Sequence, residues 1–285
     1  MAKKTQLNQT DEKLTKPFLK WAGGKLRVLT ELQKRFPADR KRFIEPFVGA
    51  GSISLNINYP SIIINDYNAD LISVWQFLQT KPIQFINQCK ELFIVDNNTE
   101  KQFNILKAEF NKTKQSLRKA ALFVYLNRHC FNGLCRYNAS GDFNVPVGRY
   151  NNPVYFPLQE LTIGAEKINN FTIYNKDFRE IFDLVKDGDL VYCDPPYVPT
   201  STSANFSSYT SGGFEFKDQI DLALCAEKAM EKGAVIIISN HYNWYTKGLY
   251  SKAKTYKIEV SRTISSKVEE REAVSEIIAV FNRSI

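Results

Sequence analysis

The chain has 285 residues, 24% of them charged, and a formal net charge of +8. That is ample material for a core. No apolar run is long enough to cross a bilayer and no apolar leader opens the chain, so neither a membrane span nor a secretory signal is expected. Five scattered cysteines without a CxxC pair, beside two histidines, argue against a structural zinc site and for reduced thiols in a cytoplasm.

The charge is unevenly spread. Residues 1–50 carry 12 Lys/Arg against 5 Asp/Glu, and residues 101–150 carry 9 against 2, which leaves the rest of the chain net acidic. Two basic regions on an acidic body suit a polyanion clamped from two sides, and nucleic acid becomes the leading partner.

In chain order, residues 1–16 are polar and aperiodic and read as a flexible arm. Gly23-Gly24-Lys25 follows, but the full phosphate-loop pattern is absent and Leu26 stands where a hydroxyl residue would, which excludes a P-loop triphosphatase. Leu26, Leu29 and Leu32, with Phe36 beyond, predict a helix. Arg42–Glu45 predicts a strand, Pro46 to Gly51 a glycine turn, and Ser52 the start of another helix. Strand, glycine turn and helix open the cofactor site of a Rossmann-like sheet, with Gly49 and Gly51 admitting the ligand to the backbone. Ile62-Ile63-Ile64-Asn65-Asp66 predicts a second buried strand. Asp66 follows Gly49 at close to the spacing of a ribose-binding acid; the alternative is the N-cap of the next helix.

Residues 70–128 are helical in pattern. Leu71, Val74, Trp75 and Leu78 mark one helix face, Phe85, Ile86, Cys89 and Phe93 another, and Ala120 to Leu126 form an apolar helix core. Ala139-Ser140-Gly141-Asp142 then reads as the turn of a hairpin. Its faces carry Arg, Asn, Tyr and Phe, which suit base edges better than a purely stabilising role. Past Pro157 the α/β texture returns: strands at Phe171–Tyr174, 190–193 and Ala234–Ser239, a helix from Ile220 to Met230, and a closing antiparallel pair at Glu259–Arg262 and Ser275–Phe281. Thr200 to Gly213, rich in Ser, Thr and Gly, suggests a loop that closes over a substrate.

The strand at 190–193 runs into Asp194-Pro195-Pro196-Tyr197. Two prolines remove backbone donors, so the corner offers carbonyl oxygens, the Asp194 carboxylate and the Tyr197 ring. A flat ring bearing an amino group, such as a nucleobase, fits it. Alone, a Pro-Pro pair is also common strand-ending punctuation.

Taken together, five stretches resemble the adenine-N6 DNA methyltransferases of the Dam type, α group. They are Phe18-Leu19-Lys20-Trp21-Ala22-Gly23-Gly24-Lys25, Glu45-Pro46-Phe47-Val48-Gly49-Ala50-Gly51, Asn132 to Asn138, Phe143-Asn144-Val145-Pro146 with Gly148-Arg149-Tyr150, and Asp194-Pro195-Pro196-Tyr197. The resemblance implies a Rossmann-like α/β methyltransferase sheet in 17–69 and 157–285, interrupted at 70–156 by a helical target-recognition domain with a β-hairpin. It implies S-adenosylmethionine as methyl donor and duplex DNA as partner, GATC as target and a base turned out of the helix. It implies no metal, a monomer in solution, and a bacterial or phage cytoplasm with nucleoid association through DNA. Trp21, Lys25, Phe47, Gly49, Gly51, Asp66, Asp177, Phe178 and Asp194 would bind the cofactor. Asp194, Pro195 and Tyr197 would hold the target base. Lys20, Phe131, Asn132, Leu134, Arg136, Asn138, Pro146, Arg149 and Tyr150 would meet DNA. Where the family often carries Gly and basic residues, Ser265 to Glu270 ends in acids. Two other readings stand beside this one, a related enzyme acting on RNA or another DNA site and a non-catalytic DNA-binding protein. Whether the enzyme works alone, around replication and mismatch repair, or beside a nuclease in restriction-modification is left open.

Overall fold

The computed structural model describes residues 14–21, 23–150, 155–198, 214–261 and 273–283. Seven strands lie side by side: β1 (Arg42–Glu45), β2 (Ser61–Asn65), β3 (Phe171–Tyr174), β4 (Asp189–Cys193), β5 (Val235–His241), β6 (Lys254–Ser261) and β7 (Ala273–Phe281), in the order β3-β2-β1-β4-β5-β7-β6. β1 to β5 are parallel, and β7 runs antiparallel between β5 and β6. This is the Rossmann-like sheet the sequence predicts. Its central strands are continuous apolar runs because both faces are covered. Alternation sends Phe43, Ile64, Leu190 and Ile237 into one core and Ile44, Ile63, Val191 and Ile238 into the other. Sequence order reverses between β1 and β4, and at such a reversal the carboxyl ends of parallel strands leave a crevice.

Nine helices are found among the described residues. α1 (Leu29–Gln33) precedes β1. The connection from β2 to β3 carries α2 (Ala69–Thr80), α3 (Pro82–Lys90), α4 (Glu100–Lys112), α5 (Leu117–His129) and α6 (Leu158–Lys167). α7 (Phe178–Asp183), α8 (Phe216–Glu231) and α9 (Trp244–Leu249) follow. Local chemistry starts several of them. Asn68 caps α2 by accepting from the Asp70 and Leu71 amides, Thr99 and Ser116 cap α4 and α5, and Pro82 opens α3. α5 is buried from Ala120 to Asn127, so it forms the axis against which α2, α3 and α4 pack. These helices share one continuous apolar cluster with the first sheet face.

Several elements differ from expectation. In place of a helix from Ser52 there is a single 3-10 turn, Ser54–Asn56. The Ser54 amide donates to Glu45, and Asn56 Nδ2 donates to the Ser52 and Thr15 carbonyls, so side chains take the bonds a second turn would need. Thr15, within the stretch read as an arm, is buried and joined to Asn56 in both directions. β2 ends at Asn65 rather than Asp66. α6 and α9 have no counterpart in the sequence pattern; α9 is short and rests on a capping box between Asn243 and Thr246. The hairpin is held by isolated bridges, Cys130 to Val147 and Tyr137 to Phe143, without a continuous ladder. The expected closing loop at 200–213 and the acidic stretch at 265–270 lie outside the described residues. Among the described residues no helix is long and apolar enough to cross a membrane.

β1 and β4 are locked by a mostly buried ion pair. Arg42 Nε donates to Asp189 Oδ1 at 2.8 Å, and Nη2 also reaches the Leu184 carbonyl at 2.7 Å. Arg42→Ala strands a buried carboxylate, so we expect a loss of about 3 kcal/mol in urea unfolding. Removing the stranded charge as well, in Arg42→Ala with Asp189→Asn, should restore part of it. Equal stability of Arg42→Ala and the parent would show that the pair carries no weight.

Candidate active site

The crevice at the carboxyl ends of β1, β2 and β4 is a cleft of about 870 Å³. Trp21, Lys25, Phe47, Gly49, Asp66, Asp177, Phe178, Asp194, Pro195 and Tyr197 all line it. Gly49 has φ +48°, and a Cβ there would sit 2.7 Å from Trp21 Nε1, so only glycine lets the indole close over the turn. Trp75 Nε1 donates to the Gly49 carbonyl at 3.2 Å. Gly51, expected at the ligand, does not line the cleft: with φ +72° its Cα faces the Trp75 ring, 2.7 Å from where a Cβ would fall. The first glycine thus serves the cleft and the second the core.

Asp66 joins the turn to the end of β2. Its Oδ2 accepts from the Gly49 amide at 3.1 Å and its Oδ1 from the Asn68 amide at 3.0 Å. The cap of α2 is Asn68, so Asp66 is left facing the cleft. Burial raises its pKa, against those amide bonds. Across the cleft, Asp177 caps α7 and Phe178 opens it, with the Phe178 ring 5.5 Å from that of Phe47.

At the end of β4, Asp194 Oδ1 accepts from Ser239 Oγ at 3.0 Å and pairs with Lys25 Nζ at 3.1 Å. Lys25 is buried, also donates to the Gly23 carbonyl, and stands 4.6 Å from the Tyr197 ring centroid. Its charge partner in this structure is therefore Asp194, the acid of the Pro-Pro corner. Tyr197 donates to Glu276 at 3.0 Å and packs edge-on against His241, and burial drives its pKa well up. The Pro196 carbonyl accepts from Gln219 Nε2 at 2.6 Å.

The residues expected to meet DNA lie beside this cleft. Asn127, buried in α5, accepts from the Lys20 amide and donates to the Lys20 and Gly133 carbonyls. A Cβ on Gly133 would strike the Lys20 Cβ, so the hairpin root and the Lys20 segment are pressed together. Lys20 Nζ donates to Tyr150 Oη at 2.9 Å and to the Arg128 carbonyl, and the Phe131 amide bonds the Pro146 carbonyl. Phe131, Asn132, Leu134, Arg136, Pro146, Arg149 and Tyr150 are exposed, and Asn132 has φ +54°. Arg136 Nε is folded onto Asn144 Oδ1 at 2.7 Å. Asn138 is spent locally, its Oδ1 accepting from the Ser140 and Asp142 amides to hold the turn. The hairpin stands on the start of α2 through Tyr137 Oη to Asp70 Oδ2 at 2.9 Å and Asn68 Nδ2 to Cys135 Sγ at 3.3 Å.

Sequence reasoning passed over Glu45, Asn127, Arg179, Ser239, His241 and Glu276. Ser239 and His241 sit at the end of β5, next to β4, where a parallel strand must bring side chains to the site. Asn127, Arg179 and Glu276 depend on pairings distant in sequence, while Glu45 is held by Ser54 nine residues on.

Fold and site together define a Rossmann-like protein with an acid-lined cleft beside a basic, aromatic hairpin. Residues 21–264 match the model of the D12 class N6 adenine-specific DNA methyltransferases. The chain is 42% identical over 270 residues to the DNA adenine methylase of Serratia marcescens, covering 94% of this chain and 99% of that one. It is 40% identical over 273 residues to the DNA adenine methylase of Escherichia coli K12, covering 96% and 98%. The chain belongs to the D12 class of adenine-specific DNA methyltransferases.

Glu45 lies under the site, 2% exposed, and accepts from the Ser54 amide and hydroxyl. Burial pushes its pKa up to about 8, opposed by the Ser54 bonds and aided by Asp194. An unfolded glutamate releases its proton at about pH 4. Glu45's stabilising contribution is thus complete below that pH and lost as pH rises through about 8. Glu45→Gln keeps the shape and cannot ionise, so its melting temperature relative to the parent should climb from pH 5 to pH 8.5. A constant difference across that range would mean that Glu45 is ionised throughout.

Proposed function

We propose that the protein transfers a methyl group from S-adenosylmethionine to N6 of an adenine turned out of duplex DNA, within GATC. The observation that carries this reading is that Asp194 and Tyr197 share one cleft with the Gly49 turn, Asp66 and Phe178, while the exposed hairpin stands alongside. The target specificity follows the kinship with DNA adenine methylases and the resemblance of the stretches 132–138 and 143–150 to the Dam type.

The cleft suits the cofactor. Besides Glu45, which burial keeps protonated at neutral pH, five carboxylates line it, Asp66, Asp177, Asp194, Asp218 and Glu276, against Lys25, Arg27, Lys176 and Arg179, so no net positive charge repels a cationic ligand. The glycine at 49 opens the backbone, Asp66 stands at the end of β2 where a ribose hydroxyl would be received, and Phe178 offers a ring face to a purine. When bound, the cofactor supplies a methyl group activated by a sulfonium.

Adenine N6 is a weak nucleophile because its lone pair is spread into the ring. Asp194 and the Pro195 carbonyl accept its hydrogens and favour the tetrahedral nitrogen of the transition state. Ser239 and Lys25 fix the carboxylate beforehand. An incoming amine gains its bond to Asp194 by displacing the Lys25 ammonium or by taking the other oxygen. Tyr197, tethered by Glu276, presents its ring to the base. The duplex must release the base first, because stacking blocks in-line approach. The neighbouring basic groups supply duplex affinity.

Asp194→Asn keeps the shape and loses the charge, so single-turnover methyl transfer to a GATC duplex should fall on the order of 10² or more, with duplex affinity retained. A near-normal rate would remove the charge from the mechanism. Lys20 tests the DNA face by pH. Burial, helped by Arg128, pulls its pKa down to about 8. A phosphate or base acceptor favours the ammonium, so duplex affinity should drop as pH rises through about 8, and Lys20→Arg should abolish that drop. An identical pH profile in Lys20→Arg would place Lys20 outside the interface.

A further inference from the structure

Arg179, on the first turn of α7, has no part in the chemistry described above, yet it gathers three carboxylates. Its Nη1 donates to both oxygens of Asp177 at 3.1 Å, and its Nε and Nη2 donate to Asp221 Oδ2 at 3.0 and 2.6 Å. Its Nη2 also bonds Asp218. The guanidinium lies 4.4 Å from the Phe178 ring centroid. Asp177 is the cap of α7, while Asp218 and Asp221 belong to the first turns of α8. One side chain therefore ties the starts of two helices, and the planar fork of arginine is the group that can meet three acids at once.

Asp218 also serves its own helix, since its Oδ2 accepts from the Glu215 amide and closes the capping box of α8. The residue before that cap is Phe214. Its ring stands 5.6 Å from Phe47 and 5.6 Å from Phe178, which are 5.5 Å from each other, so three rings form a near-equilateral cluster. All three rings line the cleft, as do Asp177, Arg179 and Asp218. The start of α8 sets where Phe214 stands, and Arg179 holds that start against α7.

We propose that Arg179 is a positioning residue of the adenosine subsite, holding the Phe47–Phe178–Phe214 ring cluster and the Asp177 carboxylate where the purine of the cofactor is received. This rests on the S-adenosylmethionine reading above. Without the arginine, three carboxylates face one another with no shared counter-ion, and their repulsion spreads α7 from α8. Lysine restores the charge but, as a point donor, cannot span all three.

Calorimetric titration with S-adenosylhomocysteine and with adenosine tests it, without any turnover. In Arg179→Met both affinities should fall by the same factor, tenfold or more, with Arg179→Lys intermediate and duplex affinity in the absence of cofactor unchanged. In steady state, Arg179→Lys should raise KM for S-adenosylmethionine and leave kcat near the parent value. Phe214→Ala, which removes one ring and leaves the clasp intact, should lower both ligand affinities in the same way and guards against misfolding of the arginine variants. Parent-like ligand affinity in folded Arg179→Met, or in Phe214→Ala where Arg179→Met does not fold, would overturn the proposal. So would a loss for S-adenosylhomocysteine that adenosine does not share. If the parent protein bound neither ligand, the cofactor reading itself would fall, and the assignment of Arg179 with it.

Discussion

Residues 18–21 and 23–25 form a strap whose anchors lie far away along the chain. Phe18 packs edge-on against Trp75 in the core, and the Lys20 backbone is clamped in both directions by Asn127, 107 residues later. Trp21 closes over Gly49, and Lys25 ends on Asp194. None of these contacts forms within the strap itself, so it has a shape only when the sheet and the helical layer are both in place. It then becomes a wall of the cleft and a floor for the hairpin. Both candidate ligand surfaces of this family member thus hang on a segment that draws its shape from distant partners.

The junction of β2 and α2 repeats that economy on the other side. In one short stretch, Asp66 faces the cleft, Asn68 caps the helix and reaches Cys135, and Asp70 receives Tyr137 and Lys119. The cleft and the hairpin therefore share a rigid helix start. The cleft mixes carboxylates with Lys25, Arg27, Lys176 and Arg179, whereas Lys20, Arg136 and Arg149 lie outside it, on the side of the hairpin.

The parallel core was legible because strands covered on both faces must be apolar throughout, and β1 to β5 each show such a run or part of one. The Gly49 turn and the Asp194 corner were legible because glycine and proline have few alternative meanings at a strand end. Gly51 shows the limit: its positive φ is real, but the neighbour that demands it is Trp75 in the following helix, which spacing does not reveal. The expected helix at Ser52 failed for a similar reason, since Glu45 and Thr15 divert its bonding groups. Asn138, expected at DNA, also holds the hairpin turn through its Oδ1, a local role its place beside Ser140-Gly141 leaves readable. Arg179, Asn127 and Glu276 carry no local signal, because each matters through a partner brought near only by the fold.

The path of the chain through the sheet has a kinetic corollary. β3 pairs with β2 only after the whole segment that holds α2 to α6 has been traversed, and the Arg42–Asp189 pair joins residues 147 apart. Loop closure over such distances is slow, whereas helices form from local contacts. The helical layer should therefore gain protection from hydrogen exchange before the central strands do during refolding. An intermediate in which that layer is formed would still expose the apolar edges of β1 and β2, so refolding yield should be sensitive to protein concentration.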